Sequence, residues 1–134
     1  MNDRNLYRIL DSSANRACEA LRVVEDFVRF MRDDTEMTEA LKTLRHRLTQ
    51  VLRTFSMTER LAARDTETDV GTRLRTDTEF MRADVTDVLG ANFSRLQESL
   101  RSLEEFSKIV SPQAAAEFEQ IRYASYTLQK KIAL

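Results

Sequence analysis

From Asn5 to Met31 the apolar residues Leu6, Ile9, Leu10, Ala14, Ala17, Leu21, Val24, Val28 and Met31 recur at steps of three and four. That period predicts one long helix with a single buried face. Asp11, Ser12 and Ser13 are weak helix formers, and they predict a kink or a short preceding turn. Asp33, Asp34 and Thr35 form a polar break able to cap a second amphipathic helix carrying Met37, Leu41, Leu44, Leu48, Val51, Leu52 and Phe55. Ser56 followed by Glu59 has capping-box spacing and predicts a short helix over Met57 to Ala63, before a polar loop from Arg64 to Gly71. Thr76 and Glu79 repeat that spacing, and Phe80, Val85, Val88, Leu89, Phe93, Leu96, Leu100, Leu103 and Ile109 then carry helical periodicity interrupted by Gly90. Ser111-Pro112 opens a last helix reaching about Ala133, because proline at the first helical position has no N–H to leave unbonded.

The two halves resemble each other. Glu19-Ala-Leu-Arg-Val-Val-Glu-Asp-Phe27 aligns without gaps on Glu98-Ser-Leu-Arg-Ser-Leu-Glu-Glu-Phe106, and Arg16 falls on Arg95. Leu41, Leu44, Arg45 and His46 fall on Phe118, Ile121, Arg122 and Tyr123 in a register shifted by two. Neither hairpin can bury its apolar face alone, so pairing face to face is the expected solution. The expected architecture is all-α: a single domain, 1–134, forming a four-helix bundle from a duplicated hairpin. Residues 1–55 make the first hairpin, 56–80 an inserted short helix and loop, and 81–134 the second hairpin.

Composition narrows the chemistry. With 134 residues, 42% of them apolar, the chain suits one core, and Gly 2 with Pro 1 leaves little material for glycine-rich loops. Lys+Arg 21 against Asp+Glu 22 gives a net charge of −1, which provides no field for nucleic acid or anionic lipid. Cys18 and His46 each stand alone, so neither a disulfide nor a Cys/His metal framework is expected, and a reducing cytoplasmic setting is. No apolar run approaches the ~20 residues of a membrane span, and MNDRNLYR reads as neither a signal nor a transit peptide.

On a helical wheel Asn15, Glu19, Arg22, Asp26 and Arg29 share one stripe opposite Val23, Phe27 and Phe30, with Glu25 at the edge nearer the core. Two readings stand side by side. In one, the stripe is a solvated face of i,i+3 and i,i+4 pairs, each worth a few tenths of a kcal/mol. In the other, the recurrence at Glu98, Arg101, Glu104 and Glu105 places two such faces along one polar groove between the hairpins. Arginines there would grip an oxyanion by bidentate hydrogen bonds, and carboxylates would hold Mg²⁺ or orient a hydroxyl. Asp65, Glu67 and Asp69 alternate like a calcium loop, but Val70 and Thr76 stand where such a loop needs glycine and glutamate. His46, between Arg45 and Arg47, reads as a surface or satisfied histidine rather than a base.

Four strings taken in order are more specific than any of these features: Ile9-x-Asp11-x-x-x-Asn15-Arg16-Ala17-x-Glu19-x-Leu21-Arg22-Val23-x-Glu25-Asp26, Leu44-Arg45-His46, Arg64-Asp65-Thr66-x-x-Asp69-Val70-Gly71-Thr72, and Asn92-Phe93-x-Arg95-x-Gln97-Glu98-x-Leu100-Arg101-x-Leu103-Glu104-Glu105. Over nearly the whole chain they resemble the helical domain found at the N-terminus of some bacterial thiamine-phosphate synthases and also seen alone. Ser12-Ser13 and Ala20 depart from the family's usual Ala-Asn and Gly. The resemblance implies an alternative hydroxymethylpyrimidine phosphate kinase, with ATP and Mg²⁺ as co-reactants and the pyrimidine diphosphate as product.

Under that implication Asn15, Arg16, Arg22, Arg45, Arg64, Asp65, Asp69, Gly71, Asn92, Arg95, Arg101 and Arg122 are the expected substrate- and phosphate-binding residues. Glu19, Glu25, Asp26, Glu98 and Glu104 are the expected catalytic or magnesium-orienting carboxylates, and the loop holding Asp65, Asp69 and Gly71 is the expected lid. The alternative is a non-catalytic helical interaction or regulatory domain associated with a thiamine-phosphate synthase barrel, in cis or in trans. Homo-oligomerisation stays open at this stage, as does a third reading, a small helical enzyme of the chorismate-mutase kind.

Overall fold

The computed structural model describes residues 3–134; Met1 and Asn2, counted in the first predicted hairpin, lie outside the described residues. The helices are α1 (Asp3–Asp26), α2 (Thr35–Leu52), α3 (Met57–Ala63), α4 (Val85–Val110) and α5 (Pro112–Ala133), with a π-helical turn at Phe27–Met31 continuing α1. No strand occurs among the described residues. The four long helices form the expected bundle, α1 packing on α2 and α4, and α5 on α4 and α2.

Neighbouring helices run antiparallel. Tyr7, early in α1, meets Phe55, beyond the end of α2, edge-on with ring centroids 6.4 Å apart, and Phe55 stacks on Phe118, early in α5, at 6.4 Å. At the opposite end the Arg32 guanidinium donates to the carbonyl of Ile132. Ile109 and Val110, closing α4, share a groove with Asp3, Leu6 and Tyr7, so α1 and α4 also run in opposite senses. The core is continuous through all four: Leu10, Ala14, Ala17, Leu21 and Val24 of α1, Leu41 and Leu48 of α2, Phe93, Leu96, Leu100 and Leu103 of α4, and Phe118 and Ile121 of α5. Ala14 and Ala17 stand where the repeat-equivalent positions of α4 carry Phe93 and Leu96, so small residues on one helix are balanced by large ones on the other.

Most boundaries follow the capping chemistry. The Asp34 carboxylate accepts from the Met37 N–H at 3.0 Å, and Ser56 accepts from the Glu59 N–H at 3.4 Å. Ser111 accepts from the Ala114 N–H at 3.2 Å, one residue before Pro112 opens α5. Asp11, Ser12 and Ser13 lie within one unbroken helix with no preceding turn; Asp11 and Ser13 are buried, and the Asp11 side chain is drawn across to Arg60 and Arg64 rather than competing for its own backbone.

Three expectations need correction. At the end of α1 the π-helical turn widens the backbone, keeping Val28 in the core but turning Phe30 and Met31 outward, 66% and 61% exposed. The fourth helix begins at Val85 rather than at Phe80. Glu79 does reach back to the Thr76 N–H at 3.0 Å, but the pair closes only a turn, and Phe80 is 75% exposed. A stronger cap lies downstream: Asp84 accepts from the Asp87 N–H at 2.8 Å while Asp87 accepts from the Ala83 N–H at 3.0 Å. Ile109, expected in the core, is 61% exposed on the last turn of α4.

Candidate functional site

Asp11 is an acid on a core-facing helix position, and burying a carboxylate requires partners. They come from the insertion. Arg60 of α3, only 5% exposed, donates from Nε to Asp11 Oδ1 at 3.0 Å and from Nη2 to Asn15 Oδ1 at 3.3 Å. Arg64, just past α3, closes a bidentate pair, Nε to Oδ2 at 2.8 Å and Nη2 to Oδ1 at 3.0 Å. Burial pushes the Asp11 carboxyl upward, but the hydrogen bonds and positive charges of Arg64 and Arg60 outweigh it and hold the group below the usual carboxylate range. The repeat-equivalent position in α4 is Gly90, with open space around it, so this cluster exists once in the bundle.

Beside the cluster lies a cleft of about 740 Å³ between the first half of α1 and the start of the loop, lined among others by Arg8, Asn15, Arg16, Arg64, Asp65 and Asp69. Asp65 is held low by the hydroxyl and N–H of Thr68, which outweigh the opposing effect of burial, with Arg8 and Arg4 assisting. Asp69 Oδ1 accepts from the Gly71 N–H at 2.8 Å, which shapes the loop; Gly71 itself is exposed. Arg16 stands on the cleft wall, exposed, with no hydrogen bond or ion pair to any described residue.

The duplicated motif builds two matching buried clusters. Glu25, 3% exposed, takes Arg22 Nη1 at 3.2 Å from its own helix, and from α2 it takes Arg45 Nη2 at 3.5 Å with Arg45 Nε 3.2 Å away. Glu104, 2% exposed, pairs with Arg101 one turn earlier and accepts from Arg122 of α5 through Nε and Nη2 at 3.1 and 3.0 Å. Acid, same-helix arginine and partner-helix arginine thus recur at the positions the repeat equates. The Arg122 guanidinium also lies over Tyr123 and Tyr126, 5.0 and 6.0 Å from the ring centres. Tyr126, and then Glu104 against the effect of burial, raise its affinity for the proton.

These clusters do not enclose the shared polar groove expected from the sequence. Because α1 and α4 are antiparallel, Glu25 near the end of α1 and Glu104 near the end of α4 sit at different levels, on the order of 20 Å apart along the bundle at 1.5 Å per residue. Arg45 lines a cleft with His46 and Arg53, whereas Glu98, Arg101 and Arg122 line another of about 530 Å³ with Gln97 and Tyr126. Glu19, Asp26 and Arg95 are exposed outside all three clefts, and the Asn92 side chain is turned back onto the Val88 carbonyl at 2.8 Å. The exposed His46 fits its reading as a surface histidine.

Nor do the carboxylates fit a magnesium site. Oxygens of Glu25, Glu104 and Asp11 are occupied by guanidinium groups, and no three His, Cys, Asp or Glu side chains among the described residues gather as ligands. Gly71 and Gly90, the only two glycines of the sequence, lie apart on a loop and a helix and make no glycine-rich phosphate cradle.

Of the predicted residues, the structure brings Asn15, Arg16, Arg64, Asp65 and Asp69 to one cleft, with Gly71 beside it. The others divide between two clusters and the surface. Arg60, Arg8 and the buried role of Asp11 were not predicted. A usable signal existed for Asp11, which falls one step of three before Ala14 and one of four after Tyr7, on the core side of its helix. Nothing local marks Arg60, whose partner is 49 residues away.

A ThiD2 family model matches residues 8–131. A thiamine-phosphate synthase of Rhodopirellula baltica is 42% identical over 98% of this chain and 35% of its own length. Thiamine-phosphate synthases of Nostoc punctiforme and a Synechocystis species are 41% and 43% identical over 95% and 91% of this chain and 35% and 34% of their own lengths. The chain therefore spans about a third of the curated relatives it matches, and no solved structure matches it. Among the described residues no helix is long and apolar enough to cross a membrane. The comparisons overturn the kinase reading drawn from the resemblance: these relatives are named for a synthase and not for a phosphotransferase, and what they share with this chain is one domain-sized third. By a match over almost its whole length, the chain belongs to the ThiD2 family.

Proposed function

We propose that this chain is a non-catalytic helical domain of thiamine synthesis that associates with thiamine-phosphate synthase, in cis or in trans, and regulates it. The observation that carries the reading is the asymmetry of the match, which takes 98% of this chain but 35% of the Rhodopirellula baltica synthase. A unit of that extent is the size of one domain, and its three buried acids, Asp11, Glu25 and Glu104, are each held by arginines. The cleft beside Asp11 serves as the regulatory pocket, where the free Arg16 guanidinium, with Arg8 beside it, binds the phosphate of a small ligand.

The test uses a thiamine-phosphate synthase that carries no ThiD2 segment of its own. Calorimetric titration of this chain into that synthase should give a saturable complex, and its steady-state rate should change in the complex. Hydroxymethylpyrimidine phosphate, or inorganic phosphate as the simplest probe, should bind the chain by itself and shift that effect. Absence of a complex together with an unchanged synthase rate would remove the reading.

A further inference from the structure

Between α3 and α4 the chain runs from 64 to 84 without a helix, and every residue from 66 to 87 is exposed. Loops beyond about 12–15 residues are uncommon in compact domains and usually serve as binding loops or lids. This one is fixed at both ends, Arg64 by Asp11 and Ala83 by the Asp87 carboxylate of α4. Between them its hydrogen bonds close only short turns, such as Thr72 N–H to the Asp69 carbonyl, Leu74 N–H to Gly71 and Met81 N–H to Thr78. Among the described residues no hydrogen bond or ion pair ties residues 70–82 to a helix. The first part of the loop is already a wall of the cleft beside Asp11, through Arg64, Asp65, Thr66 and Asp69. Arg73 follows four residues after Asp69, within about 13 Å of extended chain. Of the arginines past Gly71, Arg75 lies over the Phe80 ring at 5.4 Å and Arg82 donates to the Met81 carbonyl at 3.0 Å. Arg73, exposed, has no hydrogen bond, ion pair or ring contact to any described residue, which is also the state of Arg16 on the α1 side of the cleft.

The geometry points to residues 70–82 as a strap that closes over this cleft when an anion binds and delivers Arg73 to it, an inference that rests on the phosphate-binding reading of the cleft above. Without an anion, two guanidinium groups brought together repel each other. An anion between Arg16 and Arg73 removes that repulsion and takes charge-assisted hydrogen bonds from both sides. Closure also draws apolar surface of the strap out of water, where Val70, Leu74, Phe80 and Met81 are now 90%, 73%, 75% and 68% exposed. A loop held at its ends and otherwise only by local turns makes this movement without breaking a helix or the Asp11 cluster. Asp65 and Asp69 belong to the fixed wall, and the moving part begins after them.

The test uses the full chain with inorganic phosphate as probe and potassium chloride of equal ionic strength as reference. Closure is read by the rate of tryptic cleavage after Arg75 and Arg82, and binding by calorimetry. Saturating phosphate should slow cleavage at least fivefold. Arg73→Gln should weaken phosphate binding at least fivefold with unchanged circular dichroism, whereas Arg47→Gln, on α2 at a different cleft, should bind as the parent does. Unchanged cleavage of the phosphate-bound chain, or undiminished binding by Arg73→Gln, overturns the strap while leaving the cleft standing. No phosphate binding by the parent overturns both. Protection that accompanies dimer formation in sedimentation velocity assigns the cover to a second copy and overturns closure within one chain.

Discussion

Replacing Asp11 by alanine isolates the one cluster that the duplication did not produce. The substitution leaves Arg60, 5% exposed, with Asn15 Oδ1 at 3.3 Å as its remaining acceptor, whereas the half-exposed Arg64 can turn to water. An uncompensated buried charge costs about 3–5 kcal/mol, and the surviving Asn15 contact puts the expected loss near the lower figure. For a domain of this size about 3 kcal/mol lowers the melting temperature by roughly 10 °C. Urea denaturation at pH 7, followed by circular dichroism, measures it. Asp11→Ala combined with Arg60→Met removes both charges and should be more stable than Asp11→Ala alone by at least ~1 kcal/mol. The same pair predicts a pH dependence. The Asp11 carboxyl is held below its unfolded value of about 3.9, so its contribution is complete above about pH 5 and is lost as pH falls through the folded value. The stability gap between the parent and Asp11→Asn should accordingly narrow from pH 6 to pH 3. An Asp11→Ala loss below ~1 kcal/mol, or simple additivity in the double variant, would refute the account of Arg60 as a charge that depends on Asp11.

Gly90→Ala meets no atom within 4 Å and should stabilise α4 by about 0.5–1 kcal/mol, read as a higher urea midpoint. Asp84→Ala removes the N-cap that starts α4 and should cost about 1 kcal/mol in the same assay. Glu25→Gln and Glu104→Gln weaken matching clusters, and their losses of unfolding free energy in urea should agree to within about 1 kcal/mol; a loss confined to one would deny the structural equivalence of the repeats. Arg16→Ala should leave stability within about ±0.5 kcal/mol while weakening phosphate binding at least tenfold by calorimetry, and unchanged binding would remove Arg16 from the cleft's chemistry.

Local chemistry in the chain was enough for the existence of the helices and for most of their caps. Apolar steps of three and four, Ser56 before Glu59 and Ser111 before Pro112 each act within one or two turns, so their consequences can be read without knowing the fold. The duplication was legible for the same reason, and its equation of Arg45 with Arg122 anticipated the arginine that each buried glutamate receives from its partner helix. Competition between caps was less visible: Thr76 and Glu79 have the right spacing, but the reciprocal bonds around Asp84 and Asp87 decide where α4 begins. The arrangement of the charged residues was a tertiary matter. Antiparallel packing of α1 and α4 sends equivalent clusters to different levels of the bundle, so a repeated motif became two structural locks instead of one pocket. Asp11 and Arg60, 49 residues apart, meet only because the insertion folds back over α1, and no periodicity within a helix encodes a contact that two helices make by crossing.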